Sequence, residues 1–160
     1  MVSNTKVSIR NLAPNIGIMP KLPIKFFMSG IHINLKERKK LKLFLQSFFN
    51  EEGKNLDSLN YIFSTDKYLL TLNQDFLSHD YLTDIITFNL SNDPRVISGE
   101  VYISVDRVRE NATIHQVSLN NELHRVIFHG ALHLCGYKDN SPKKMAEMRN
   151  AEDKMLRRYF

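Results

Sequence analysis

Two short apolar runs without a helical period, DIITFNL at 84–90 and EVYISV at 100–105, constrain the fold most, because both read as strands set among helical segments. DIITFNL, unbroken and β-rich, reads as a central strand, with EVYISV a second one beyond the polar turn SNDPRVISG. Further upstream, IKFFMSGIHI at 24–33 is apolar and extended, and SLNYIFST at 58–65 alternates Leu59, Tyr61 and Phe63. Between these two, Asn34 is expected to cap a helix, with Glu37 completing a capping box, Leu41, Phe44, Leu45 and Phe48 facing inward and Gly53 ending it. Asp66 is expected to cap a short helix carrying Leu69, Leu70, Leu72 and Phe76. Further helices are expected over 106–116, from Ser118 to the histidines near 130, and from Ser141–Pro142 onward, the last with Met145, Met148 and Met155 in the core. The order predicts one α+β domain: a small mixed sheet of about four strands packed with about five helices.

Composition narrows the class of protein. No apolar run nears the roughly 18 residues that span a bilayer, and the start of the chain lacks the apolar block of a secretory signal. The single cysteine, Cys135, cannot pair within the chain, which suits a reducing cytoplasm. A net charge of +5 favours a polyanionic partner such as nucleic acid. Residues 1–23, with Pro14, Pro20 and Pro23, read as a loose N-terminal extension, and 24–160 as the domain. Lys36, Arg38, Lys39, Lys40 and Lys42 crowd the start of the first helix, as a solvated face or as a surface for phosphates.

The chemistry concentrates in HGALHLCGYKD at 129–139. His129 and His133 are four apart, so both imidazoles leave one face of a helix. Gly136 is placed to end that helix in a left-handed turn, which lets the chain fold back and bring Asp139 to the two rings. Two imidazoles and a carboxylate are expected to hold one zinc ion per chain with a fourth position open, the pattern of a catalytic site. A water there would lose a proton near neutral pH. Glu122 and Val126 continue the histidine stripe, while Leu123, Ile127, Ala131 and Leu134 form the buried face, so metal chemistry is expected at the end of a central helix.

HGALHLCGYKD resembles the signature of the YbeY endoribonuclease family, H-G-x-L-H-L-x-G-Y-D-H, through His129, Gly130, Leu132, His133, Leu134, Gly136 and Tyr137. LNQDFLSHDYLTDIITF at 72–88 resembles the family's L-N-x-x-Y-R-x-x-D-x-x-T-D-V-L-S-F, and SGEVYIS at 98–104 its G-D-I-x-I-S strand. Glu122 falls where the family carries a glutamate, a candidate to support the site from outside the ligand set. The resemblance implies a zinc-dependent, single-strand-specific endoribonuclease acting in ribosomal RNA maturation and ribosome quality control. Its partner would be ribosomal RNA of the small subunit, its place the cytoplasm. Two positions depart from the pattern: Asp139 stands where the third histidine ligand is usual, and Leu77 where an arginine is usual. His79, Arg107, Arg109 and Arg125 are the cations that could contact RNA instead.

Two other classes compete. A zinc peptidase needs H-E-x-x-H, and Gly130 occupies the glutamate position. A zinc-containing RNA- or ribosome-binding assembly factor without strong catalysis is kept in view by the missing arginine. Among the remaining residues, Cys135 reads as a small core residue, His124 as surface, and His115 and His32 as structural. Asp84 reads as a tie for the loop before its strand, and Thr87 and Glu100 as side chains facing a cleft.

Overall fold

A computed structural model describes residues 22–78 and 80–160, so the expected loose segment 1–23 lies outside the described residues except for Leu22 and Pro23, and so does His79. Four strands, β1 (Ile24–Met28), β2 (Asn55–Ser64), β3 (Ile85–Asn89) and β4 (Val96–Ser104), form one mixed sheet in the order β1-β2-β4-β3. β1, β2 and β4 run parallel, and β3 is antiparallel to β4. The helices are α1 (Arg38–Glu51), α2 (Asp66–Leu72), α3 (Val105–Ile114), α4 (Leu119–Leu134) and α5 (Pro142–Tyr159). None is long and apolar enough to cross a membrane.

The strand period of two sorts the sheet's faces. Ile97, Val101 and Ile103 of β4 and Leu59, Tyr61 and Phe63 of β2 join a large core with α1, α4 and α5. On the opposite face Ile86 buries against Leu69 and Leu72 of α2, with Phe88 and Tyr102 packed alongside. β3 therefore turns Ile85, Thr87 and Asn89 toward the α4 side. The expectation that 84–90 forms a central strand is corrected: β3 is an edge strand, and β4 takes the inner position. Local sequence could not separate them, since an edge strand whose two faces are both covered has the same apolar run as a central one.

Two glycines let α4 lie close on this corner of the sheet. A Cβ at Gly130 would come within 2.7 Å of a Val101 methyl and 3.0 Å of Ile85 Cδ1. One at Gly99 would come within 2.9 Å of Leu134 Cδ2. The Tyr61 hydroxyl, buried in the core, donates to the Ile127 carbonyl at 3.1 Å and pins the middle of the same helix. α4 thus ends beside edge strand β3, and the histidine stripe overhangs the sheet's rim.

The ends of the helices mix agreement with correction. Ser118 and Ser141 cap α4 and α5 as expected, each accepting a backbone N–H, with Pro142 in the first turn. α1 instead starts at Arg38, with Glu37 at its cap in the left-handed region (φ 47°) and no side-chain cap. Ile33 and Leu35, 3% and 4% exposed, are buried just upstream, and their burial outweighs the Asn34 capping box. At α2 the cap is Thr65; Asp66 instead accepts from Arg107 Nε at 2.9 Å and from the Ser104 hydroxyl. The helix does not carry Phe76 inward: the chain loosens into a π-helical turn, Asn73–Leu77, and Phe76 is left exposed. Met145 is exposed too, whereas Met148 and Met155 are core. His124, read as surface, is 1% exposed, because five residues before His129 is the α4 face that meets α5; its ring stacks on Tyr159 with centroids 4.8 Å apart.

Candidate metal centre

α4 is long, capped at Ser118 and apolar along its inner face, so its last turn is held firmly where His129 and His133 project. Gly136 follows with φ +98°, a left-handed conformation that a side chain would strain, and Gly136 N–H donates to the His133 carbonyl at 2.9 Å. This closed turn brings the chain back over the ligand face. His129 Nε2 and His133 Nε2 lie 2.9 Å apart, and Asp139 Oδ2 lies 3.5 Å from the first and 3.6 Å from the second.

The other nitrogen of each ring is occupied. His129 Nδ1 donates to Glu152 Oε1 at 2.7 Å, and His133 Nδ1 to the Tyr137 carbonyl at 3.0 Å. With both Nδ1 protons committed to acceptors, both Nε2 lone pairs face one point. At 2.9 Å the two nitrogens share a cation, either a proton on one ring donated to the other or a metal ion. Tetrahedral zinc with ligands at 2.0–2.2 Å has edges of about 3.3–3.6 Å; the two separations to Asp139 fall in that range, and the one between the two Nε2 atoms is shorter. Glu152 Oε1 acting through Nδ1 is the carboxylate–histidine arrangement that orients a ligand and raises its basicity.

The electrostatics follow from burial and neighbours. Burial pulls the His129 pKa down, but the carboxylates of Glu152, Asp84 and Asp139, Glu152 foremost, together outweigh it and the net shift is upward. His133 is lowered, by burial and then by the charge on His129. Asp84 is raised by burial, with His129 opposing. Glu152, 4% exposed, is itself paired with Arg125 at 3.0 Å and Arg149 at 3.5 Å.

Glu152 is the residue that sequence reading missed. A signal was present: it falls in the stripe Met148–Glu152–Met155–Leu156–Tyr159, an acid in an otherwise apolar helix face. Glu122 does not take that part. It is buried, but its carboxylate faces His115 at 3.8 Å and Arg125 at 4.0 Å, two helical turns from His129. Of the candidate RNA contacts, Arg107 is paired with Asp66 and Glu110, Arg109 donates to the His32 carbonyl, and Arg125 is taken up by Glu152 and Asp153. Asp84, read as a tie for its loop, is bonded elsewhere: its carbonyl accepts from Ser104 N–H of β4 at 2.8 Å, and its carboxylate faces Asn111 in a small cavity shared with His129 and Glu152. Thr87 lines the cleft beside the site, while Glu100 accepts from the Tyr102 hydroxyl on the other side of the sheet. Cys135 is half-buried against the core, where burial pushes its thiol up to about 12.

That cleft has a volume of about 490 Å³. Two stretches line it: Asn73 to Asn89 on the β3 side, and His133 to Lys138 on the α4 side. Gly130 rules on the peptidase alternative here. A glutamate at that position would drive its Cβ into Val101 and Ile85 rather than toward the ligands.

The family profile described as endoribonuclease YbeY matches residues 28–160. The chain belongs to the endoribonuclease YbeY family. Among curated relatives, the endoribonuclease YbeY of Cytophaga hutchinsonii is 44% identical over 138 residues, 86% of this chain and 96% of its own. That of Porphyromonas gingivalis is 43% identical over 133 residues, 83% of this chain and 87% of its own. A solution structure of a Thermotoga maritima protein, 29% identical, superposes with a TM-score of 0.59 over 85% of this chain and 88% of that one. Family membership makes the chain a hydrolytic enzyme of the RNA-cleaving class and gives the three-ligand cluster a context in which metal chemistry is expected.

Proposed function

We propose that this chain is a zinc-dependent endoribonuclease that cuts single-stranded RNA, holding one zinc ion on His129, His133 and Asp139 and acting on ribosomal RNA of the small subunit in the cytoplasm. The observation that carries the reading is the convergence of two Nε2 atoms and one carboxylate oxygen within 4.8 Å of one another, beside a cleft, in a member of this family. When bound, the ion would supply Lewis acidity toward a phosphodiester oxygen and lower the pKa of a water molecule.

The protein's own residues do the rest. Glu152 holds the proton of His129 on Nδ1, and the Tyr137 carbonyl holds that of His133, so each Nε2 stays a donor of electrons. The half-buried Arg125 balances the charge of Glu152. Lys138, exposed in the cleft, supplies positive charge where a phosphate would arrive. A carboxylate in place of a third imidazole adds negative charge at the metal and lowers its electrophilicity. Leu77 leaves the usual arginine position apolar. That residue favours a second reading, an RNA-binding assembly factor with weak catalysis.

Metal analysis of the purified protein beside cleavage of a single-stranded RNA, with and without chelator, tests both. About one zinc per chain with chelator-sensitive cleavage supports the first reading. Zinc and RNA binding without cleavage supports the second. Cleavage indifferent to chelator overturns the metal-dependent mechanism.

A further inference from the structure

The β3 side of the cleft is unusual for a surface meant to meet a polyanion. Leu77 and Tyr81 line it and are 43% and 59% exposed. No lysine or arginine lies between Lys67 and Arg95, so this whole wall lacks a cation of that kind, in a chain whose net charge is +5. Across the cleft stand His133 of the ligand group and the cation Lys138. A single-stranded nucleic acid has two chemistries to satisfy, phosphates that seek cations and bases that seek flat apolar surface. The two linings divide those chemistries between them.

Tyr81 is set up for the second. Its backbone is anchored: the Asn73 side chain, 2% exposed, donates to the Tyr81 carbonyl at 3.0 Å. On either side, Gln74 donates to Asp80 at 2.8 Å and the Thr83 hydroxyl to the Ile85 carbonyl at 3.1 Å. A buried asparagine that holds the Tyr81 carbonyl fixes the backbone from which the Tyr81 side chain emerges. The result is a half-exposed phenol ring in the cleft that also holds the ligand His133.

We propose that Tyr81 is a positioning residue that stacks on an RNA base next to the bond being cut, with Leu77 extending the apolar surface and the phosphate on the Lys138 side. This rests on the endoribonuclease reading. It makes Leu77 part of a base-contacting wall rather than a missing phosphate contact. The consequence is selection for single strands, because a base stacked inside a duplex cannot also stack on Tyr81.

The test uses the zinc-loaded full chain and a fluorescein-labelled single-stranded RNA, with both anisotropy and cleavage as readouts. Tyr81→Ala should weaken binding and raise KM by about five- to a hundredfold, the range of one base–aromatic stack. The kcat and zinc content should stay near the parent values. Tyr81→Phe and Tyr81→Trp should bind as the parent does, since stacking needs the ring and not the hydroxyl. In RNAs carrying one abasic nucleotide at successive positions, one position should weaken binding to the parent and leave binding to Tyr81→Ala unchanged. Unchanged binding and KM in Tyr81→Ala, or a Phe variant as impaired as the Ala variant, would overturn the proposal, and so would a parent protein that binds no single-stranded RNA. If the endoribonuclease reading alone were wrong, RNA would still bind in a Tyr81-dependent way and would not be cut.

Discussion

Along the α4 side of the cleft, His133 sits at the end of a buried sixteen-residue helix, followed by a turn closed at Gly136, and each histidine has its far nitrogen tied down. Along the β3 side, Leu77 and Tyr81 sit on a π-helical turn and a loop, exposed, with the loop tied at Asn73. The first side has the marks of a place for chemistry, where ligand atoms must stay within a few tenths of an ångström. The second has the marks of a place for recognition, where an apolar surface can meet different bases. Irregular backbone at a rim costs less than it would in the core, because its polar groups can reach water or a side chain.

The largest expected effect breaks the α4 side alone. His129→Ala and His133→Ala should lose essentially all bound zinc and all RNA cleavage, and Asp139→Ala most of both, a drop in zinc affinity beyond about 100-fold. Asp139→His should keep the metal, because imidazole fills the same corner. Zinc titration against a chromogenic chelator reads this, and an Asp139→Ala protein that binds zinc like its parent would place the third ligand elsewhere.

Next is Glu152. Glu152→Gln keeps an acceptor for His129 Nδ1 but removes the charge, and zinc affinity or activity should fall about 10- to 100-fold. Glu152→Ala should also lower Tm, since it leaves Arg125, whose side chain is only 13% exposed, with Asp153 as its one remaining hydrogen-bonded carboxylate. Glu122→Gln, by contrast, should leave zinc affinity near the parent's, and an equal loss in the two Gln variants would contradict the assignment of Glu152 to the metal centre.

A third change addresses the other side. Asn73→Ala removes a buried donor and leaves the Tyr81 carbonyl to find water, at a cost of about 1–3 kcal/mol. Calorimetry should show the lower Tm and kinetics a raised KM for RNA, while zinc content stays unchanged. Loss of zinc in this variant would mean that the two sides are not separable.

The smallest effect lies away from the cleft. Burial lowers the His124 pKa, so the folded protein resists a proton that the unfolded chain accepts near pH 6.5. This contribution to stability is complete above about pH 6.5 and is lost as pH falls below it toward the lowered folded-state value. His124→Phe should flatten the fall in Tm between pH 7 and 5 by a few degrees, at about 2–4 °C per kcal/mol for a chain this size. An unchanged slope would assign that acid sensitivity to other groups.

What the sequence by itself determined is what short-range rules encode. Four-residue spacing put His129 and His133 on one face, and Gly136 returned the chain so that Asp139 came within 3.6 Å of both rings. Ser118 and Ser141–Pro142 marked two helix starts, and strand alternation marked β2. Tertiary structure alone decided the rest. Glu152 reaches His129 from 23 residues away only because α5 packs on α4, and the same packing buries His124. β3 is an edge strand because β2 claims the other side of β4. The apolar wall of Leu77 and Tyr81 faces His133 only because Gly99 and Gly130 let α4 settle on that corner of the sheet. Caps and periods act over three or four residues and can be read locally, whereas sheet order and partners across helices are set by which surfaces pack best once the whole chain has closed.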